Sequence, residues 1–124
     1  RFLIPGLWDM HVHLSEATAA SLPLLIANGV TGVRDMGSDI REIHRWRDAI
    51  NARRLVGPRI ITAGPKLDGA GVPSASSRIV RTPDDARTAV NDLSAAGVDL
   101  IDIKEITESI ADGESTYECV ALEA

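Results

Sequence analysis

Pro5-Gly6-Leu7-Trp8-Asp9-Met10-His11-Val12-His13 carries more structural information than any other run of this chain. It reads as a buried strand, from about Leu7 to His13, that ends in two histidines one residue apart. Alternate side chains on a strand share a face, so His11 and His13 are expected to point the same way, with Asp9 on that face too. Two imidazoles at the C-terminal end of a strand supply two nitrogen ligands to a divalent metal such as zinc. A bare His-x-His is weak evidence by itself, because most such pairs are incidental surface or core histidines. The weight comes from the surrounding chain.

Outward from that strand the sequence alternates strand and helix four times. An Ala- and Leu-rich helix is expected from roughly Glu16 to Asn28, with a kink or a second start near Ser21 because of Pro23. Gly29 suits the left-handed position that ends a helix. A second strand runs Val30 to Met36. Asp39-Ile40-Arg41-Glu42 then has the spacing of a helix N-cap and its capping partner, and Ile40, Ile43, Trp46 and Ile50 recur at helical intervals. Arg59 to Ala63 is a third strand, closed by Gly64-Pro65. Thr82-Pro83-Asp84-Asp85 combines a capping threonine, a first-turn proline and carboxylates at the positive end of the dipole. Ala86, Ala89, Val90, Leu93 and Ala96 form the buried stripe of that helix, and Gly97 ends it. A fourth strand covers Val98 to about Lys104, and a last helical stretch runs from near Thr116 to Ala124.

Regular βαβ alternation implies an α/β fold with a parallel sheet. Four units are too few for a closed eight-stranded barrel, which takes about 250 residues. The generic alternative, a doubly wound open sheet, loses ground because no Gly-rich phosphate turn follows any strand.

The motifs together resemble the metal-dependent amidohydrolase superfamily. Pro5–His13 is similar to the family's first barrel strand. Ala27-Asn28-Gly29-Val30-Thr31-Gly32-Val33-Arg34-Asp35-Met36-Gly37 resembles its second strand and approach, and Gly57-Pro58-Arg59-Ile60-Ile61-Thr62-Ala63-Gly64-Pro65 its third. Ala95-Ala96-Gly97-Val98-Asp99-Leu100-Ile101 resembles the run into its fourth. The resemblance runs to the imidazolonepropionase-like and Xaa-Pro-dipeptidase-like branch, whose members hydrolyse amide, cyclic amide or related C–N bonds. It implies that residues 1–124 are the N-terminal half, about four βα units, of a (β/α)8 TIM-type barrel. Residues 1–6 would be the trace of a preceding β-sandwich, with the true N-terminus upstream of Arg1.

The chemistry that this resemblance implies is hydrolysis by a metal-activated water, with one or two divalent ions, zinc above all. His11 and His13 would be metal ligands, while Asp9 would either orient an imidazole or neighbouring backbone or be satisfied by local amides. The fourth strand departs from the family pattern, since Asp102 stands where a bridging lysine is expected and Lys104 follows two residues later. Three accounts stay open: Asp102 bridges, Lys104 bridges after a local shift, or the bridge is lost. Two further functional readings stand beside amide hydrolysis, a phosphotriesterase-like hydrolase and a non-catalytic relative. The expected partner is a small amide or cyclic amide substrate. The piece alone is expected to be inactive and to self-associate through its unpaired strand edges.

Composition limits the remaining possibilities. The 124 residues are 44% hydrophobic with a net charge of −5. That balance, with no basic stripe interleaved with aromatics, argues against a nucleic-acid partner. No apolar run reaches the length of a membrane-spanning helix, and a single cysteine, Cys119, excludes an internal disulfide framework. Cys119 itself reads as a packed small apolar residue and His44 as a surface histidine on an amphipathic helix. Arg34 and Asp35 close the second strand at the active mouth, where substrate contact and a local salt bridge are equally available. Residues 66–81 form a long Gly/Ser/Pro-rich stretch that is expected to be a substrate loop or a disordered one.

Overall fold

A computed structural model describes residues 2–69 and 76–103 of the chain. Its first three strands, β1 (Leu7–Val12), β2 (Val30–Asp35) and β3 (Arg59–Thr62), form one parallel sheet in the order β1-β2-β3. The connections carry helices α1 (Ser21–Ala27) and α2 (Ile40–Asn51). Beyond β3 come a second, two-stranded parallel pair, β4 (Lys66–Asp68) and β5 (Ser77–Ile79), and the helix α3 (Pro83–Ala95).

The sheet is held by its helix-facing side. Val33 on β2 and Ile60 on β3 are register partners and bury against Leu14, Leu22 and Ile43, with Val12, Val30, Trp46 and Ile50 around them. Each such aliphatic side chain contributes about 1.5–3 kcal/mol by leaving water. Val33, Asp35, Ile60 and Thr62 share this side, so alternation turns Arg34 to the other side of β2. Gly32 is on that other side as well, and Trp8 of β1 lies over it. A Cβ at Gly32 would stand 2.3 Å from the indole Cε2, so only glycine admits the ring.

The helix boundaries follow local chemistry. Asp39 caps α2 by accepting the Glu42 amide at 3.0 Å. Thr82 and Asp85 form a complete capping box at α3. Gly29 and Gly97 follow α1 and α3 with φ of 82° and 80°, the left-handed conformation that glycine adopts without a Cβ clash.

Three expectations are corrected. The helix proposed over residues 16–28 is a 3₁₀ turn, Leu14–Glu16, followed by α1 starting at Ser21. Pro23 has no N–H to give to a preceding turn, and a start at Ser21 places it in the first turn, where none is needed. The stretch 66–81 is not a bare loop, since β4 and β5 lie in it and Leu67 and Val80 are buried with Ala86, Ala89, Val90 and Leu93 of α3. Two apolar anchors outweigh the Gly/Ser/Pro composition between them.

The fourth strand is only partly a strand. Residues 99–103 run beside β3 and β4: the Asp99 amide donates to the Thr62 carbonyl at 2.8 Å, the Leu67 amide donates to the Asp102 carbonyl at 2.8 Å, and Leu67 forms a parallel bridge with Ile103. Between those points Gly64 and Pro65 interrupt the partner, and proline offers no donor to a ladder. Ile101 and Ile103 nonetheless pack against the α3 cluster. Asp99 secures the approach by accepting from Arg47 of α2 at 2.9 Å and from the Thr62 amide at 2.9 Å. Lys104, Cys119 and the last expected helix lie outside the described residues.

Candidate active site

The C-terminal ends of β1, β2 and β3 converge on the two histidines. The rings of His11 and His13 meet edge to face with centroids 5.1 Å apart. His13 Nδ1 pairs with the carbonyl oxygen of Met36, the residue after β2. A carbonyl only accepts, so Nδ1 carries the proton and Nε2 keeps its lone pair for another partner. Among the described residues no third His, Cys, Asp or Glu joins the pair in a group able to hold a metal.

Asp9 does not extend the pair in the way strand alternation implies. β1 pairs Asp9 with Val33 but Val12 with Asp35, three residues against two, so the alternation is broken between them. Asp9 Oδ1 accepts the backbone amide of His11 at 3.1 Å. Of the two roles open to Asp9, the structure provides the local amide contact.

Asp35 and Arg34 also acquire defined partners. Arg34 Nε donates to the Met10 carbonyl at 2.6 Å, tying the irregular part of β1 to β2. Asp35 is fully buried and accepts from the Leu14 amide at 3.0 Å, from the Ser38 hydroxyl and from the Thr62 hydroxyl at 2.8 Å. The Thr62 hydroxyl in turn accepts the Gly64 amide at 3.1 Å. One carboxylate thereby fixes the turns that follow all three strands. Neither residue forms a salt bridge with the other.

Ser15 adds a second tie. Its amide donates to Ser38 Oγ at 3.0 Å, while its hydroxyl accepts the Asp39 amide at 3.0 Å and donates to Glu42 at 3.2 Å. The turn after His13 is thus bound to the start of α2. Ser15, Ser38 and Thr62 carried no sequence signal beyond their positions at or shortly after the ends of strands.

A cavity of about 610 Å³ opens beside His13, walled by Ser15 and Glu16, by Gly37, Ser38 and Asp39, and by Pro65, Lys66 and residues 76–78. Asp102 is half-buried beside β4, and its backbone carbonyl accepts the Leu67 amide at 2.8 Å. His44 is half-buried on α2, where a Cβ added at Gly97 would stand 3.6 Å from its Cε1.

No protein-family model and no curated protein matches the chain. Solved structures do. A prolidase from Bifidobacterium longum superposes with a TM-score of 0.70 and 31% identity, over 96% of this chain and 32% of that one. A bottromycin amidohydrolase gives a TM-score of 0.79 and 25% identity over 96% and 25% of the two chains. A Xaa-Pro dipeptidase with methionine bound in its active site gives 0.74 and 22% over 96% and 40%, a likeness of fold. The chain therefore spans about a third of the length of the structures it matches. Its parallel α/β architecture and its prolidase, Xaa-Pro dipeptidase and amidohydrolase neighbours are consistent with the metal-dependent amidohydrolase superfamily.

Proposed function

We propose that this chain contributes to a metal-dependent hydrolase of carbon–nitrogen bonds, in which His11 and His13 hold a divalent ion, zinc foremost, and a small amide or cyclic amide is the substrate. The observation that carries the reading is the contact between His13 Nδ1 and the Met36 carbonyl. A ligating imidazole needs its other nitrogen fixed by an acceptor, which sets the tautomer and aims the lone pair. His13 has that acceptor, and the His11 ring stands beside it at a strand's C-terminal end. The donor set fits a borderline ion such as zinc, with two nitrogen ligands from one short segment. When bound, such an ion supplies a water of lowered pKa and polarises the scissile carbonyl.

The chain's own residues do the positioning. Asp35 and Ser15 fix the turn after His13, Arg34 anchors β1 at Met10, and the cavity beside His13 provides room for a substrate. The bridging role, with Asp102 or Lys104 as its bearer, belongs to the same proposal. Metal content of the complete protein, set against its His11→Ala/His13→Ala double variant, tests it. We expect the double variant to lose the bound ion together with hydrolysis. Equal metal content in both proteins would overturn the assignment.

A further inference from the structure

Residues 99–103 lack a continuous ladder to the sheet that bears the histidines. β3 ends at Thr62, and the next backbone contacts of this segment, at Asp102 and Ile103, go to Leu67 of β4 in the second sheet. Among the described residues, the hydrogen bonds from the segment to β1, β2 or β3 all run between Asp99 and Thr62. The Asp99 amide donates to the Thr62 carbonyl at 2.8 Å, and the Thr62 amide donates back to Asp99 Oδ2 at 2.9 Å. Arg47 of α2 grips the same carboxylate with both terminal nitrogens, Nη1 to Oδ2 at 2.9 Å and Nη2 to Oδ1 at 3.4 Å. Two parallel contacts fix orientation as well as distance. The two side chains are 31% and 33% exposed, so water and salt screen the pair only in part.

The clamp continues toward the histidines. Thr62 Oγ1 donates to Asp35 Oδ2 at 2.8 Å, and Asp35 Oδ1 accepts the amide of Leu14, the residue after His13, at 3.0 Å. Thr62 and Asp35 are fully buried, where such contacts are strong and their loss is costly. Arg47, Asp99, Thr62 and Asp35 thus form one chain of polar contacts from α2 to the turn after His13. Asp99 also opens the segment that carries Asp102. Both parts of the candidate site are therefore fixed against one residue, Thr62.

We propose that Arg47 and Asp99 are positioning residues for the candidate metal site: their ion pair sets where residues 99–103 stand relative to His11 and His13, in place of the missing ladder. This rests on the hydrolase reading and adds to it two residues that act through Thr62 and Asp35. Ligands from separate strands bind an ion tightly only when the strands are held in place before it arrives. Loosening the clamp therefore weakens ion binding in a chain that is still folded.

The test is the zinc affinity of the complete protein, read by competition with a chelating dye, beside its denaturant midpoint without zinc. Arg47→Met and Asp99→Asn should each weaken zinc binding by about 10-fold or more, the range for groups that hold ligands in place. The double variant should weaken it little beyond either single one, since both changes release the same clamp. Arg87→Met, which breaks the exposed pair with Asp84, should leave the zinc constant unchanged. An equal loss there would trace the effect to surface charge and overturn the inference. So would a lowered midpoint with wild-type zinc affinity in both single variants, the signature of a merely structural pair. Asp99→Asn keeps the size of the side chain and one acceptor for the Thr62 amide, so it reads the clamp even if Arg47→Met does not fold. The His11→Ala/His13→Ala variant separates the two readings. Zinc retained there, or absent from wild type, overturns the hydrolase reading and this inference with it. Zinc lost there but held at full affinity by Arg47→Met and Asp99→Asn overturns this inference alone.

Discussion

Asp35 shows how much of this site depends on one side chain. Its two oxygens serve the Leu14 amide, the Ser38 hydroxyl and the Thr62 hydroxyl, and all three side chains involved are buried. Asp35→Ala leaves those donors without an acceptor in a place water does not reach. We expect a loss of about 2–4 kcal/mol in denaturant unfolding, with Asp35→Asn milder because one carbonyl oxygen remains. A change within about 0.5 kcal/mol for Asp35→Ala would show that the carboxylate is not the tie described here. The sequence placed Asp35 at the mouth but offered substrate contact or a salt bridge as its role. The actual partners are 21, 3 and 27 residues away along the chain. Only strand register brings the two distant ones together, so no local pattern could have named them.

At the level of elements, α3 is the piece most fully written in local sequence. Thr82 accepts the Asp85 amide at 3.1 Å, and the Asp85 carboxylate returns to the amides of Arg81 and Thr82 at 3.0 and 3.1 Å. Thr82→Ala should lower stability by about 1 kcal/mol. The Arg81 backbone amide above all holds the Asp85 carboxyl below its ordinary value of 3.8; desolvation, the next effect in size, opposes it, and the side chain and amide of Thr82 lower it further. A carboxyl depressed in the folded state binds fewer protons there than in the unfolded chain. Its contribution is therefore complete above 3.8 and is lost as pH falls through the lower folded value. Denaturant midpoints at about pH 6 and about pH 3 should differ more for wild type than for Asp85→Asn. The same acid shift in both would place its origin elsewhere. α1 is the counter-example: its Ala and Leu composition suggested a longer helix, and Pro23 decided where it begins.

At the scale of the molecule, β1 is an edge of the three-stranded sheet, and its side chains remain open. Leu7, Trp8 and Met10 are 54%, 44% and 48% exposed, beside an exposed Phe2-Leu3-Ile4. A strand with free backbone donors and acceptors and apolar side chains is a template for pairing with another chain. We expect the 124-residue chain to self-associate with rising concentration in sedimentation velocity, and Trp8→Lys with Met10→Lys to shift it toward monomer. A monomer at all concentrations, insensitive to those changes, would contradict this reading of the edge. No helix among the described residues is long and apolar enough to cross a membrane.

Period and punctuation in the sequence determined the order of strands and helices, the caps at Asp39 and Thr82, the stops at Gly29 and Gly97, and the placement of His11 and His13 at a strand's end. These are properties of neighbours within a few residues, where backbone sterics and local hydrogen bonds act directly. The tertiary structure decided the rest. The break in β1 alternation that redirects Asp9 arises from pairing with β2, and the β4–β5 pair exists because Leu67 and Val80 can bury under α3. The interruption of the fourth strand comes from what lies beside it, Gly64 and Pro65, rather than from residues 98–103 themselves. The contacts of Asp35 and the tautomer of His13 depend on which segments the sheet places side by side, and packing supplies that information only after the chain has closed on itself.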